Sequence, residues 1–436
     1  VIDNNGTLMV VGGEVSSDSG TAIKNETDST TMIVGGKVIS EEGIGIDNYG
    51  NLSILGGEVT SNSGTAVKNE EDGTLNVNGG KVGSESGTAI VNEGTATITG
   101  GTISTEDGIA IDNYGTLNIV GGEVSSNLGT AIKNETDTTM TISGGIVKTE
   151  DGIGIDNYGI LNVVGGEVSS NSGTAIANET NATTTISGGI VSTESGIGID
   201  NFGSLTVTGG EVSSNSGIAI KNEEGATSTI AGGTVSTEDG IAIDNYGETN
   251  VIGGRIKSDN GTAIKNEENA VTNITGGKVT TDGEEGIGID NLGTLTVTDG
   301  ELSSNSGTTV KNEESGKATI VGGTVSTEDG IAIDNYGELN VTGGEVKTNN
   351  GTAIKNEENG ATTIAGGTVS SEDGIGIDNN GKLIVIDGEV KTNNGTAIKN
   401  EENGTTTITG GKVTAEGDNG IGIDNLGIVT VTDGEV

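Results

Sequence analysis

Residues 111–135 read IDNYGTLNIVGGEVSSNLGTAIKNE, and this stretch decides the fold. Three short segments alternate apolar with other residues, the period of two that marks strands. The first is Leu117-Asn118-Ile119-Val120. After Gly121-Gly122 comes Glu123-Val124-Ser125, and after Asn127-Leu128-Gly129 comes Thr130-Ala131-Ile132. Gly, Asn and Ser stand between the segments, where a chain turns most easily. Three strands and three turns in about 22 residues describe one coil of a parallel β-solenoid.

The same unit fills the chain. Gly-Gly, or Asp-Gly at 299, 387 and 433, recurs 20 times at spacings of 21 or 23 residues. Two kinds of coil alternate, so the full period is about 44 residues. One closes on a junction such as Ile111-Asp112-Asn113-Tyr114-Gly115, the other on Ala131-Ile132-Lys133-Asn134-Glu135 plus a longer polar turn. Stacking puts like residues above like. The slot of Val124 holds Val, Ile or Leu in every unit, and the slot of Ile132 holds Ile or Val. Those columns are the expected core, a narrow aliphatic stack. The expected fold is therefore all-β: a single-stranded parallel β-helix of about 20 coils running through residues 1–436 as one solenoid, a segment of a longer repeat protein or filament. At about 4.8 Å per coil its shaft measures roughly 95 Å.

Composition narrows the chemistry. The 436 residues include 81 Gly and no Pro, Cys, His or Trp, so zinc sites, disulfides, thiol chemistry and a Ser-His triad are excluded. With 19 Lys and Arg against 64 Asp and Glu, the net charge is −45. Such a polyanion repels nucleic acid and anionic membranes and attracts cations. No apolar run approaches the ~20 residues of a membrane span.

Polar residues also form columns. Asn recurs at 25, 48, 69, 92, 113, 134, 157, 178, 201 and 222, and onward to 425. An amide can donate to one neighbouring coil and accept from the other, so a structural ladder at a coil corner is expected, with Asn tolerating the left-handed turn there. The preceding residue alternates in charge: Asp112, Lys133, Asp156, then Ala177, Asp200, Lys221, Asp244 and Lys265. Opposite signs one coil apart predict a cross-coil charge ladder worth about 0–1 kcal/mol per exposed pair. Acidic pairs in the turns of alternate coils, among them Glu106-Asp107, Glu150-Asp151 and Glu238-Asp239, are candidates for weak, peripheral Ca²⁺. A solvated acidic edge is their simpler reading. Thr pairs on the outer side of the first strand, such as Thr97/Thr99 and Thr206/Thr208, suggest an ice- or glycan-binding face, though Asn118/Val120 and Ile384/Ile386 break the row.

The G-G-x-V … G-x-A-I-x-N … G-x-L-x-V units resemble right-handed parallel β-helices of the pectin-lyase-like class. They look still more like the glycine-rich repeats of large bacterial surface proteins and adhesins. The resemblance spans the entire chain and implies right-handed coils with a three-faced cross-section. Relatives of that class include polysaccharide lyases, whose long loops gather carboxylates and basic groups over one face. Here no loop interrupts the repeat, Arg255 is the only Arg, and no acidic pair is unique, so no catalytic residue and no enzyme is expected. The expected function is mechanical: a stiff acidic rod in an extracellular bacterial filament, appendage or adhesin stalk. Its partners would be further coils or copies of itself, with divalent cations between fibres. The alternative is a repetitive binding surface for glycan or ice on a cell-surface or phage-fibre β-helix.

Overall fold

The computed structural model describes residues 1–436, and every regular element in it is a strand. It comprises two compact units, Val1–Ser214 and Asn215–Val436. Each is a parallel β-solenoid.

One coil of the first unit shows why these residues take this form. Its strands are Thr116–Ile119, Glu123–Ser126 and Thr130–Asn134. In the first two, exposure alternates so that Leu117, Ile119 and Val124 lie at 0 %. Each such side chain is worth about 1.5–3 kcal/mol against exposure to water. The third strand buries both Ala131 and Ile132. Every strand pairs in parallel with its counterpart one coil away and in strict register: Leu117 with Met140, Val124 with Val147, Ile132 with Ile155. The one-coil offset brings identical slots together, so the core is a set of aliphatic columns.

Third strands form one sheet. First and second strands belong to another, folded along the Gly-Gly line. The second Gly of that pair has positive φ in all 20 copies, 80° at Gly122 for example, which is why Asp can replace the first Gly but never the second. In the second unit, extra pairs at the bend, Thr275 with Asp299 and Ala365 with Asp387, join first and second strands into single strands at Val271–Thr281, Thr294–Ser304, Ala361–Ser371 and Lys382–Thr392. Register slips at the bend in two of those pairings, between Ile274 and Lys278 and between Ile364 and Thr368. Three short strands per coil therefore holds for most coils, and these four strands depart from it.

The Gly before each third strand serves packing. A Cβ on Gly152 would run into the carbonyl oxygen of Gly129 in the preceding coil, well inside van der Waals contact. Coils approach most closely at this turn, and only Gly fits.

Candidate functional site

The column of Asn closes each third strand and points inward. In the first unit Asn25, Asn48, Asn69, Asn92, Asn113, Asn134, Asn157, Asn178 and Asn201 are all fully buried. Each Nδ2 donates to the Oδ1 of the Asn one coil on, at 2.7 Å from Asn25 to Asn48, 2.8 Å from Asn113 to Asn134 and 2.7 Å from Asn178 to Asn201. The second unit repeats the chain from Asn222 to Asn425, with 2.8 Å from Asn222 to Asn245 and from Asn400 to Asn425. Nδ2 also reaches backbone carbonyls of the adjoining turn, such as Gly115 O from Asn113 at 3.1 Å. These amides sit in strand conformation, not in a left-handed turn. Positive φ outside Gly falls instead at Asp28, Asp137, Asn181 and Asn269, in the longer polar turn just beyond. Inward placement of the amide needs the strand's alternation, and the tight reversal is displaced to the next free residues.

A second set of buried polar groups supports the ladder. Hydroxyls of Thr31, Thr184, Thr272, Thr362 and Thr406 donate to the Oδ1 of the Asn six residues earlier at 2.7–2.8 Å. They occupy the slot that holds Leu52 or Leu117 in coils of the other kind. A hydroxyl in an otherwise apolar column was the available sequence signal, and it is meaningful only beside the Asn.

The charge column is arranged differently from the expected ladder. Asp112 and Lys133 do sit opposite each other in register, as do Lys133 and Asp156, Asp244 and Lys265. The Lys ammonium groups, however, bind the Glu two residues on in their own coil. Lys24 meets Glu26 at 2.5 Å and Lys68 meets Glu70 at 2.6 Å, and Lys133–Glu135, Lys221–Glu223 and Lys265–Glu267 repeat the pair. Lys399 also forms a cross-coil ion pair with that column's Asp378, at 4.0 Å. The long Lys stem lets the cation reach the coil corner, where Glu is more exposed, while Asp is too short to follow. Lys also covers the aromatic ring of the next coil. Its Nζ lies 5.0 Å from the Tyr49 centroid for Lys24, 5.4 Å from Tyr158 for Lys133 and 5.7 Å from Tyr246 for Lys221. Where Glu93 stands in place of the aromatic, Lys68 adds an ion pair to it at 3.5 Å. Where Lys is missing, the ring is uncovered: Tyr114 follows Val91 and is 51 % exposed, and Phe202 follows Ala177.

The Asp residues pay for this arrangement. The inner carboxylate oxygens of Asp47, Asp112, Asp244, Asp290, Asp334 and Asp378 are buried without a hydrogen-bond donor. Burial, reinforced by neighbouring Glu carboxylates, pushes Asp47 and Asp156 up to about 6, and burial does the same to Asp244. Burial raises Asp112, Asp290, Asp334 and Asp378 as well.

The acidic turns remain at the surface, one coil apart from polar turns that bind them. Asn127 donates to Glu106 at 3.1 Å, Asn171 to Glu150 at 3.3 Å, and Asn260 to Asp239 at 2.9 Å; Ser172 donates to Asp151. Asp107 and Glu238 lie in the same exposed turns. The interleaved polar coil separates successive acidic pairs, and no group of three or more such side chains that could hold a metal ion is formed. No protein-family model, curated protein or solved structure matches the sequence.

Proposed function

We propose that this chain is a load-bearing segment of an extracellular bacterial filament, appendage or adhesin stalk. The observation that carries the reading is the unbroken amide ladder within each unit, identical from coil to coil. A stack in which every coil makes the same buried bonds to its neighbours resists bending and stretching uniformly. It offers length and stiffness, and its acidity keeps fibres dispersed in water. Divalent cations would then bridge the exposed acidic turns between fibres.

The Thr- and Asn-bearing outer side of the first strands favours a second reading, a repetitive surface for glycan or ice. Removing residues 116–159, one two-coil repeat, separates the two. A stalk shortens by about 9–10 Å and keeps its other properties. A repetitive binder loses glycan affinity or ice-growth inhibition in proportion to the coils removed, and that result would replace the mechanical reading.

A further inference from the structure

Charge is distributed unevenly around the coil. In the first unit, the outward side of the first strand and the corner after it carry three columns. They run Thr95, Thr97, Thr99 in one coil and Thr116, Asn118, Val120 in the next. Across the ten coils of Val1–Ser214, the thirty side chains in these columns include no Asp, Glu, Lys or Arg. With 64 acidic and 19 basic residues in 436, about six charges would fall there by chance. The neighbouring outward column of the second strand is charged, with Glu58, Lys81, Glu123 and Glu167. The corner column is also the unit's apolar ridge: Val11, Leu55, Val120 and Val164 are 49–69 % exposed.

We propose that this charge-free face is a self-association surface, on which a second copy of the chain packs its own identical face. Charge supports that occupant. For a chain of net charge −45, the second strand, the third strand and the acidic turns each present charged columns to an approaching copy, whereas here Thr, Asn and Val meet their own kind. Size supports it too. Ten coils at about 4.8 Å by a five-residue strand width of roughly 13–15 Å give about 600–700 Å² per copy. The total of some 1,300 Å² reaches the range of specific interfaces. A flat, regular sheet face joined to its own copy makes an isologous, closed pair, which does not propagate sideways. Acidic edges on either side still repel, so the pair tightens as salt screens them. The inference is independent of the stalk reading: a chain with any other role would pair in the same way.

Sedimentation equilibrium and small-angle X-ray scattering of the full chain, between about 20 and 500 mM salt, test it. The expected result is a reversible dimer, tighter at high salt, with a cross-section larger than the monomer's. The triple variant Thr97→Glu, Thr141→Glu, Thr185→Glu is expected to weaken the dimer at least about tenfold. The same charge added on the second strand by Ser125→Glu, Ser169→Glu, Ser213→Glu is expected to leave it within about threefold. A monomer at every salt concentration overturns the proposal, as does a dimer that keeps the monomer's cross-section and so pairs by its ends. Equal weakening by both triple variants, or a monomer that binds neutral polysaccharide or ice through this face, also overturns it. The wild-type scattering decides by itself should the charged variant fail to fold.

Discussion

Replacing Asn134 by Ala cuts the amide ladder in the middle of the first unit. Asn134 donates to Asn157 Oδ1 at 2.8 Å and accepts from Asn113 Nδ2 and Thr138 Oγ1, each at 2.8 Å. After truncation, Asn157 Oδ1 is left without its donor in a fully buried position. That desolvated acceptor costs about 1–3 kcal/mol. Asn113 keeps its bond to Gly115 O and Thr138 keeps its bond to Glu135 O, so their losses are smaller, about 0.5–1.5 kcal/mol each. The sum is about 2–6 kcal/mol, concentrated in the coils on either side. A repeat stack does not unfold in one step, so a single midpoint would blur the effect. Hydrogen exchange read by mass spectrometry resolves it locally. Amides bonded across this junction, such as Tyr158 N–H to Asn134 O, should exchange roughly thirty- to twenty-thousand-fold faster, with distant coils unchanged. Acceleration below about tenfold, or the same acceleration throughout the unit, would refute the claim that the ladder holds neighbouring coils together.

Three further outcomes are expected. Gly152→Ala forces the coils apart and should cost about 2–4 kcal/mol in local exchange, whereas Gly6→Ala, with open space around it, should be nearly neutral. Asp47, Asp156 and Asp244 bind protons more tightly folded, at about 6, than unfolded, at 3.8. Their contribution is fully present below the unfolded value and is lost as pH rises through about 6. The melting temperature should therefore be higher at about pH 4.5 than at about pH 7.5, and Asp244→Asn should reduce the difference; a lower melting temperature in mild acid would contradict the burial argument. Ala177→Lys restores a cation beside Glu179 and over Phe202, and should slow local exchange by the equivalent of about 0.5–1 kcal/mol. No change there would mean that the cation over an aromatic adds nothing.

The coil length, the core slots of Val124 and Ile132 and the positions of the polar columns were legible in the sequence, because a solenoid stacks identical slots. Column reading identifies which residues become neighbours. It does not give the direction a long side chain takes once there, and so it pairs Lys133 with Asp112, whereas the ammonium lies on Glu135 and over Tyr158. The same limit concealed Thr184 and Thr272, whose hydroxyls matter only through the amide they face. Gly152 was readable as a turn residue, but its packing role depends on how closely Gly129 approaches. Asn134 departs from the left-handed turn that its residue type suits, because burying the amide requires a strand.

The most direct test of the mechanical account is electron microscopy of unheated native material, with the axial rise measured. The account predicts continuous rods far longer than the roughly 95 Å of one chain's coils, with a layer spacing near 4.8 Å. Discrete particles no longer than about 95 Å would contradict it.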